Sequence, residues 1–95
     1  MQEFNPGTAI LHKFVASGFT VNSLHVAVYD GSETLVDSAS ATASGDGYYY
    51  CILPAPTSAG LYQAKWEALY GLDAHSVEAK SIDGVKFRVI SLEVD

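Results

Sequence analysis

A chain of 95 residues with 48% hydrophobic and 12% aromatic side chains has the size and composition of one folded domain, which excludes a disordered segment. Eleven acidic residues against five basic ones give a net charge of −6. Lys13, Lys65, Lys80, Lys86 and Arg88 form no run, so nucleic acid and anionic membrane are poor partners. Cys51 is the sole cysteine, which forbids an internal disulfide, and no stretch reaches the roughly 20 apolar residues of a membrane span.

Taken in order, Phe4-Asn5-Pro6-Gly7 is a turn, because Pro fixes φ and Gly tolerates positive φ. Thr8 to Ala16 reads as a strand with apolar residues on both faces, so its buried face stays open, and Ser17-Gly18 breaks it. In Leu24–Asp30, Leu24, Val26 and Val28 alternate with His25, Ala27 and Tyr29, the period of two of a half-buried strand. Asp30-Gly31-Ser32 turns the chain into a return strand, Thr34 to Ala43, and Ser44-Gly45-Asp46-Gly47 turns it again. Tyr48–Leu53 is rich in strand formers and stops at Pro54. In Leu61–Leu69, Tyr62, Ala64, Trp66 and Ala68 share one face, opposite Gln63, Lys65 and Glu67; the charged face must be wet, so Trp66 points inward. Gly71-Leu72-Asp73 turns the chain once more. A strand near His75–Ile82 and a last one near Val85–Val94 follow, with Asp83-Gly84 as a hairpin signal between them. In the last strand Val85, Phe87 and Val89 share one phase and Ile90, Leu92 and Val94 the other, which calls for a bulge or a second apolar edge. About seven strands with turns every 8–12 residues, and no persistent apolar i, i+3, i+4 series, point to an all-β sandwich or small barrel.

Two segments resemble a known family. Gly47-Tyr48-Tyr49 opens a strand ending in Leu53-Pro54, and Gly60-Leu61-Tyr62-Gln63-Ala64-Lys65-Trp66 opens the next. With the terminal Lys86-Phe87-Arg88-Val89, the initial Phe4-x-Pro6-Gly7, and Val28-Tyr29-Asp30-Gly31 followed by Leu35-Val36, the chain is similar to bacterial and bacteriophage Ig-like, fibronectin-III-like domains over nearly its whole length. The resemblance implies one immunoglobulin-like antiparallel β-sandwich over residues 1–95. It implies structural or adhesive roles and no catalytic residues.

Candidate sites are few. His12, His25 and His75 lie far apart in sequence, and Cys51 is distant from all three, so zinc spacing is absent. Asp30, Glu33, Asp37 and Asp46 lack the twelve-residue calcium loop, and turn chemistry accounts for Asp30 and Asp46. No metal or cofactor is expected. Cys51 has no local activating signature and, on the phase of Tyr49 and Leu53, is a buried thiol. Trp66 as a sugar platform conflicts with its inward phase. The outward set is the candidate site. If Tyr49, Cys51 and Leu53 face the core, then Tyr48, Tyr50 and Ile52 form an exposed ridge at i, i+2, i+4, and large aromatic side chains are enriched where proteins meet.

The expected function is a non-catalytic module of a bacteriophage virion, a capsid decoration, neck or tail accessory protein. It would work by self-oligomerisation or by docking to capsid, neck or tail proteins. A chain opening Met1-Gln2-Glu3-Phe4, with neither a basic nor an apolar leader segment, fits synthesis in the host cytoplasm without a signal peptide. The alternative is a carbohydrate- or receptor-binding adhesive domain.

Overall fold

Strands whose apolar and polar residues alternate bury one face each, and two sheets of such strands must cover one another. The computed structural model describes residues 1–15, 20–71 and 77–90. Among them the regular elements are strands only: β1 (Gln2–Phe4), β2 (Ala9–Val15), β3 (Thr20–Asp30), β4 (Leu35–Ser40), β5 (Thr42–Ala43), β6 (Tyr48–Pro54), β7 (Gly60–Gly71) and β8 (Val77–Val89). They form a five-stranded sheet in the order β1-β8-β7-β3-β4 and a three-stranded sheet in the order β2-β6-β5. Neighbours are antiparallel except β1 and β8, which pair in parallel with Gln2 opposite Phe87 and Phe4 opposite Val89.

The core lies between the sheets. The larger sheet contributes Leu24, Val26 and Val28 from β3, Tyr62, Ala64, Trp66 and Ala68 from β7, and Phe87 and Val89 from β8. The smaller contributes Ile10, Cys51 and Leu53. Phe87 is fully enclosed and is the aromatic hub. Tyr62 stacks on it at 5.6 Å, Phe4 meets it edge-on at 5.7 Å, and His12 lies 6.4 Å away. Trp66, 3% exposed, packs against Phe14 of the facing sheet with ring centroids 5.5 Å apart. The inward phase read from the charges on β7 therefore holds.

The turns follow the expected chemistry. Asp30 Oδ1 accepts the N–H groups of Ser32 and Thr34 at 2.8 and 3.0 Å, closing the β3–β4 hairpin. Between β5 and β6, Gly45 and Gly47 both hold positive φ, near 87° and 89°, conformations that a side chain would strain.

Three expectations are corrected. Thr34–Ala43 is not one strand: β4 belongs to the larger sheet and β5 to the smaller, and the chain changes sheets at Ala41, whose N–H donates to the Leu24 carbonyl at 2.9 Å. With β1 added, the strands among the described residues number eight, against an expectation of about seven. Asp83-Gly84 is not a hairpin but an irregularity inside continuous β8, where the register against β7 slips between Gln63 and Lys65. Gln63 Nε2 donates to the Ala64 and Gly84 carbonyls at 2.7 and 3.0 Å and fastens the slip. A Cβ at position 84 would stand 3.2 Å from the Ala64 carbonyl oxygen and 3.3 Å from the Trp66 ring, a crowding that glycine avoids. Beyond the slip Phe87 and Val89 are buried, while Val85 is exposed. Leu72, Asp73, His75, Leu92 and Val94 lie outside the described residues.

Trp66→Ala should destabilise the domain by about 3–5 kcal/mol, and Gly84→Ala by about 1–3 kcal/mol through overpacking against the same ring. Urea unfolding of both variants measures this; an unchanged midpoint for Trp66→Ala contradicts the strand phase.

Candidate protein interface

The outer face of the three-stranded sheet follows from the pairing of β2 with β6. Ile10, His12 and Phe14 stand opposite Leu53, Cys51 and Tyr49. Of these, Ile10, His12, Cys51 and Leu53 are buried, and Phe14 and Tyr49 pack against the core. The other phase faces solvent, with Leu11 opposite Ile52, Lys13 opposite Tyr50 and Val15 opposite Tyr48. Leu11, Val15 and Ile52 are 60%, 63% and 59% exposed. The half-buried Tyr48 and Tyr50 lean together with ring centroids 6.4 Å apart. Lys13 Nζ lies over the Tyr48 ring, 4.1 Å from its centroid, an attraction of about 0.5–1 kcal/mol at an exposed site.

Tyr48, Tyr50 and Ile52 thus lie on one face, joined by Leu11, Lys13 and Val15, which the reading of β6 alone does not supply. The signal for those three was present in Lys13: its charge must be wet, so Leu11 and Val15, in phase with it, are outside as well. The result is a continuous apolar patch with one cation at its centre.

The outer face of the larger sheet is mixed: Leu35, Leu61 and Leu69 are exposed there, but a polar cluster ties its central strands together. Glu67 bridges two β3 side chains, with His25 Nε2 2.9 Å from Oε2 and the Tyr29 hydroxyl donating to Oε1 at 2.8 Å. This bond, with burial and the Glu67 charge behind it, holds the Tyr29 hydroxyl above its ordinary pKa. Lys65 lies over the Tyr29 ring at 5.4 Å. These side chains surround Ala27, which is buried although it is on the outer phase. Both carboxylate oxygens of Glu67 are occupied, so the cluster clamps β3 to β7. A groove of about 400 Å³ at the end of this sheet is lined by Asp30, Glu33 and Asp83 together with Lys65 and Lys86, a mixed-charge rim.

The remaining candidate residues are placed plainly. Among the described residues no three His, Cys, Asp or Glu side chains converge on a metal position. His12 and His25 lie on opposite sides of the fold, one in the core and one on the surface, and His75 is outside the described residues. Cys51 is buried, and burial, with a smaller contribution from the Asp37 charge, pushes its thiol up from the ordinary value. His12 is 3% exposed, and its Nε2 has no hydrogen-bond partner among the described residues. Burial lowers its pKa. Compared with protein-family models, with curated proteins and with solved structures, the chain matches none.

The buried imidazole gives a pH dependence of defined sign. In the unfolded chain His12 takes a proton near pH 6.5, whereas the folded core resists protonation, so the unfolded state binds more protons below that pH. The stability contribution is complete above about pH 6.5 and is lost as pH falls toward the folded pKa. Thermal midpoints measured from pH 7 down to about 5 should fall in the native chain and fall less in His12→Leu. Equal slopes would show that His12 is not the group responsible.

Proposed function

We propose that this chain is an Ig-like sandwich serving as a non-catalytic assembly module, and that it docks protein partners on the outer face of its three-stranded sheet. The observation that carries the reading is the patch of Leu11, Val15 and Ile52, all largely exposed, with Tyr48 and Tyr50 beside them. Contiguous apolar surface of this kind, rimmed by polar residues, marks interaction sites, and tyrosines in such a patch supply rigid contact area.

Two features support the Ig-like assignment. The strand order places β2-β6-β5 against β8-β7-β3-β4, the B-E-D and G-F-C-C′ arrangement of immunoglobulin-type sandwiches. The Tyr62 hydroxyl, at the start of the penultimate strand, donates to the Ser58 carbonyl at 2.6 Å, the geometry of a tyrosine corner. The chain departs from the antibody pattern in having its tryptophan on β7 and no inter-sheet disulfide. The virion setting, as a capsid decoration, neck or tail accessory, is supported by the sequence resemblance alone. The adhesive alternative loses Trp66 as a stacking platform, because that ring is buried.

Tyr50→Ser should leave stability within about 0.5 kcal/mol of the native chain while weakening assembly measured by light scattering coupled to gel filtration. A native chain that stays monomeric and retains glycans on an array supports adhesion instead. A Tyr50→Ser chain that unfolds contradicts the outward phase of β6.

A further inference from the structure

Sheet edges present unpaired backbone groups, and folded proteins normally shorten, bend or charge them. Among the described residues the two sheets end on β1, β4, β2 and β5. β1 spans three residues and β5 two. β4 has a register irregularity against β3 and carries Asp37. β2 is neither short nor bulged. It runs seven residues in unbroken register with β6 and contains no proline. Its one charge, Lys13, is drawn sideways onto the Tyr48 ring of β6 rather than held over the open edge.

The backbone phase of that edge can be read. The Ala55 N–H donates to the Thr8 carbonyl at one end of the β2–β6 pair, and the Ser44 N–H donates to the Tyr48 carbonyl on the other side of β6. Hydrogen-bonded and non-hydrogen-bonded pairs alternate in an antiparallel ladder, so Ile10, His12 and Phe14 bond to β6. The amides of Leu11 and Lys13 point to the open side.

Beside the open edge the sheets leave a gap of about 330 Å³, lined by Phe4, Ile10, His12, Trp66, Gly84 and Val85 among others. The unpartnered Nε2 belongs to His12 of this lining. Unsatisfied buried polar atoms are rare and call for an explanation.

We propose that an extended segment of a partner protein adds to β2 as a fourth strand. Its inward side chains enter the gap beside the His12 ring. Its outward side chains extend the apolar face beside Leu11 and Val15, with an acidic residue opposite Lys13. A lone strand is the fitting occupant. A second copy approaching edge-on would bring its own Phe4 and Val85 rim to the same gap, whereas one strand supplies both the backbone partners and the filling side chains. The proposal rests on the assembly reading above and specifies how that partner is held.

The test uses a spot array of peptides about nine residues long, one strand's length, with valine, leucine or isoleucine at alternate positions and a central glutamate. The tightest binder is then titrated into the labelled full chain by NMR. Binding should protect the amides of Leu11 and Lys13, which exchange freely beforehand, and shift the His12 ring. Lys13→Pro removes an edge donor where proline is tolerated and should bind about tenfold or more weaker than Lys13→Ala, which keeps the N–H and loses only the side chain's contact with the glutamate. Should Lys13→Pro not fold, Leu11→Pro against Leu11→Ala makes the same comparison.

Three results overturn the proposal: no peptide binding at millimolar concentration, equal binding by the proline and alanine variants, or Leu11 and Lys13 amides already protected in the free chain. If peptide binding fails while Tyr50→Ser still weakens assembly, strand addition is wrong and the apolar face stands. If peptide binding obeys the proline test while Tyr50→Ser leaves assembly intact, strand addition stands and the face reading falls.

Discussion

The inward phase of β7 is the constraint on which the rest of the structure depends. Tyr62, Ala64, Trp66 and Ala68 line one side of a twelve-residue strand at the centre of the larger sheet. Period-two geometry leaves no intermediate choice: a slip of one residue would bury Lys65 and Glu67 and expose Trp66. With Trp66 fixed inside, Phe14 must come from the opposite sheet to meet it. That sets β2 with Ile10 and His12 inward, and β6 with Cys51 and Leu53 inward. That Leu11, Val15 and Ile52 are exposed, with Tyr48 and Tyr50 half-buried on the same outer face, is thus a consequence of the core.

The two outer faces show what the fold does with surface it need not bury. On the larger sheet the Glu67 carboxylate, His25 and Tyr29 bridge neighbouring strands and shelter Ala27. On the smaller sheet a single lysine rests on a tyrosine ring, and its neighbours on β2 and β6 are apolar or aromatic, with Thr42 of β5 beside Tyr50. A net charge of −6 keeps copies apart at long range without covering that apolar face. Among the described residues the same sheet also ends on a seven-residue edge strand with neither bulge nor proline, so its apolar face and its open backbone meet along β2.

Much of this was legible in the sequence where charge and alternation coincide. Gln63, Lys65 and Glu67 fix β7, and the Tyr49, Cys51, Leu53 phase of β6 follows from it. Turn chemistry at Asp30 and Ser44-Gly45-Asp46-Gly47 was equally readable, because it is local. What escaped depends on partners distant in sequence. Asp83-Gly84 has the composition of a hairpin, and only the register of β8 against β7 turns it into an irregularity within a strand. The change of sheet at Ala41 leaves no compositional mark, since Ser, Thr and Ala suit either sheet. The faces of β2 seemed equivalent because Leu11 and Val15 are as apolar as Ile10 and Phe14; the wet Lys13 was the deciding residue. That His12 is buried, with no hydrogen-bond partner for Nε2 among the described residues, follows only from packing around it.

The central claim is that adjacent residues of β6 face opposite worlds, Cys51 the core and Ile52 the solvent. Thiol labelling tests it most directly, by comparing the maleimide reaction rate of native Cys51 with that of Ile52→Cys in a Cys51→Ala background under folding conditions. The thiol at position 52 should react at a rate near that of an unstructured cysteine, while Cys51, buried and with its pKa raised, reacts only as the domain opens. Fast labelling at 51 with protection at 52 would contradict the phase of β6 and with it the interface.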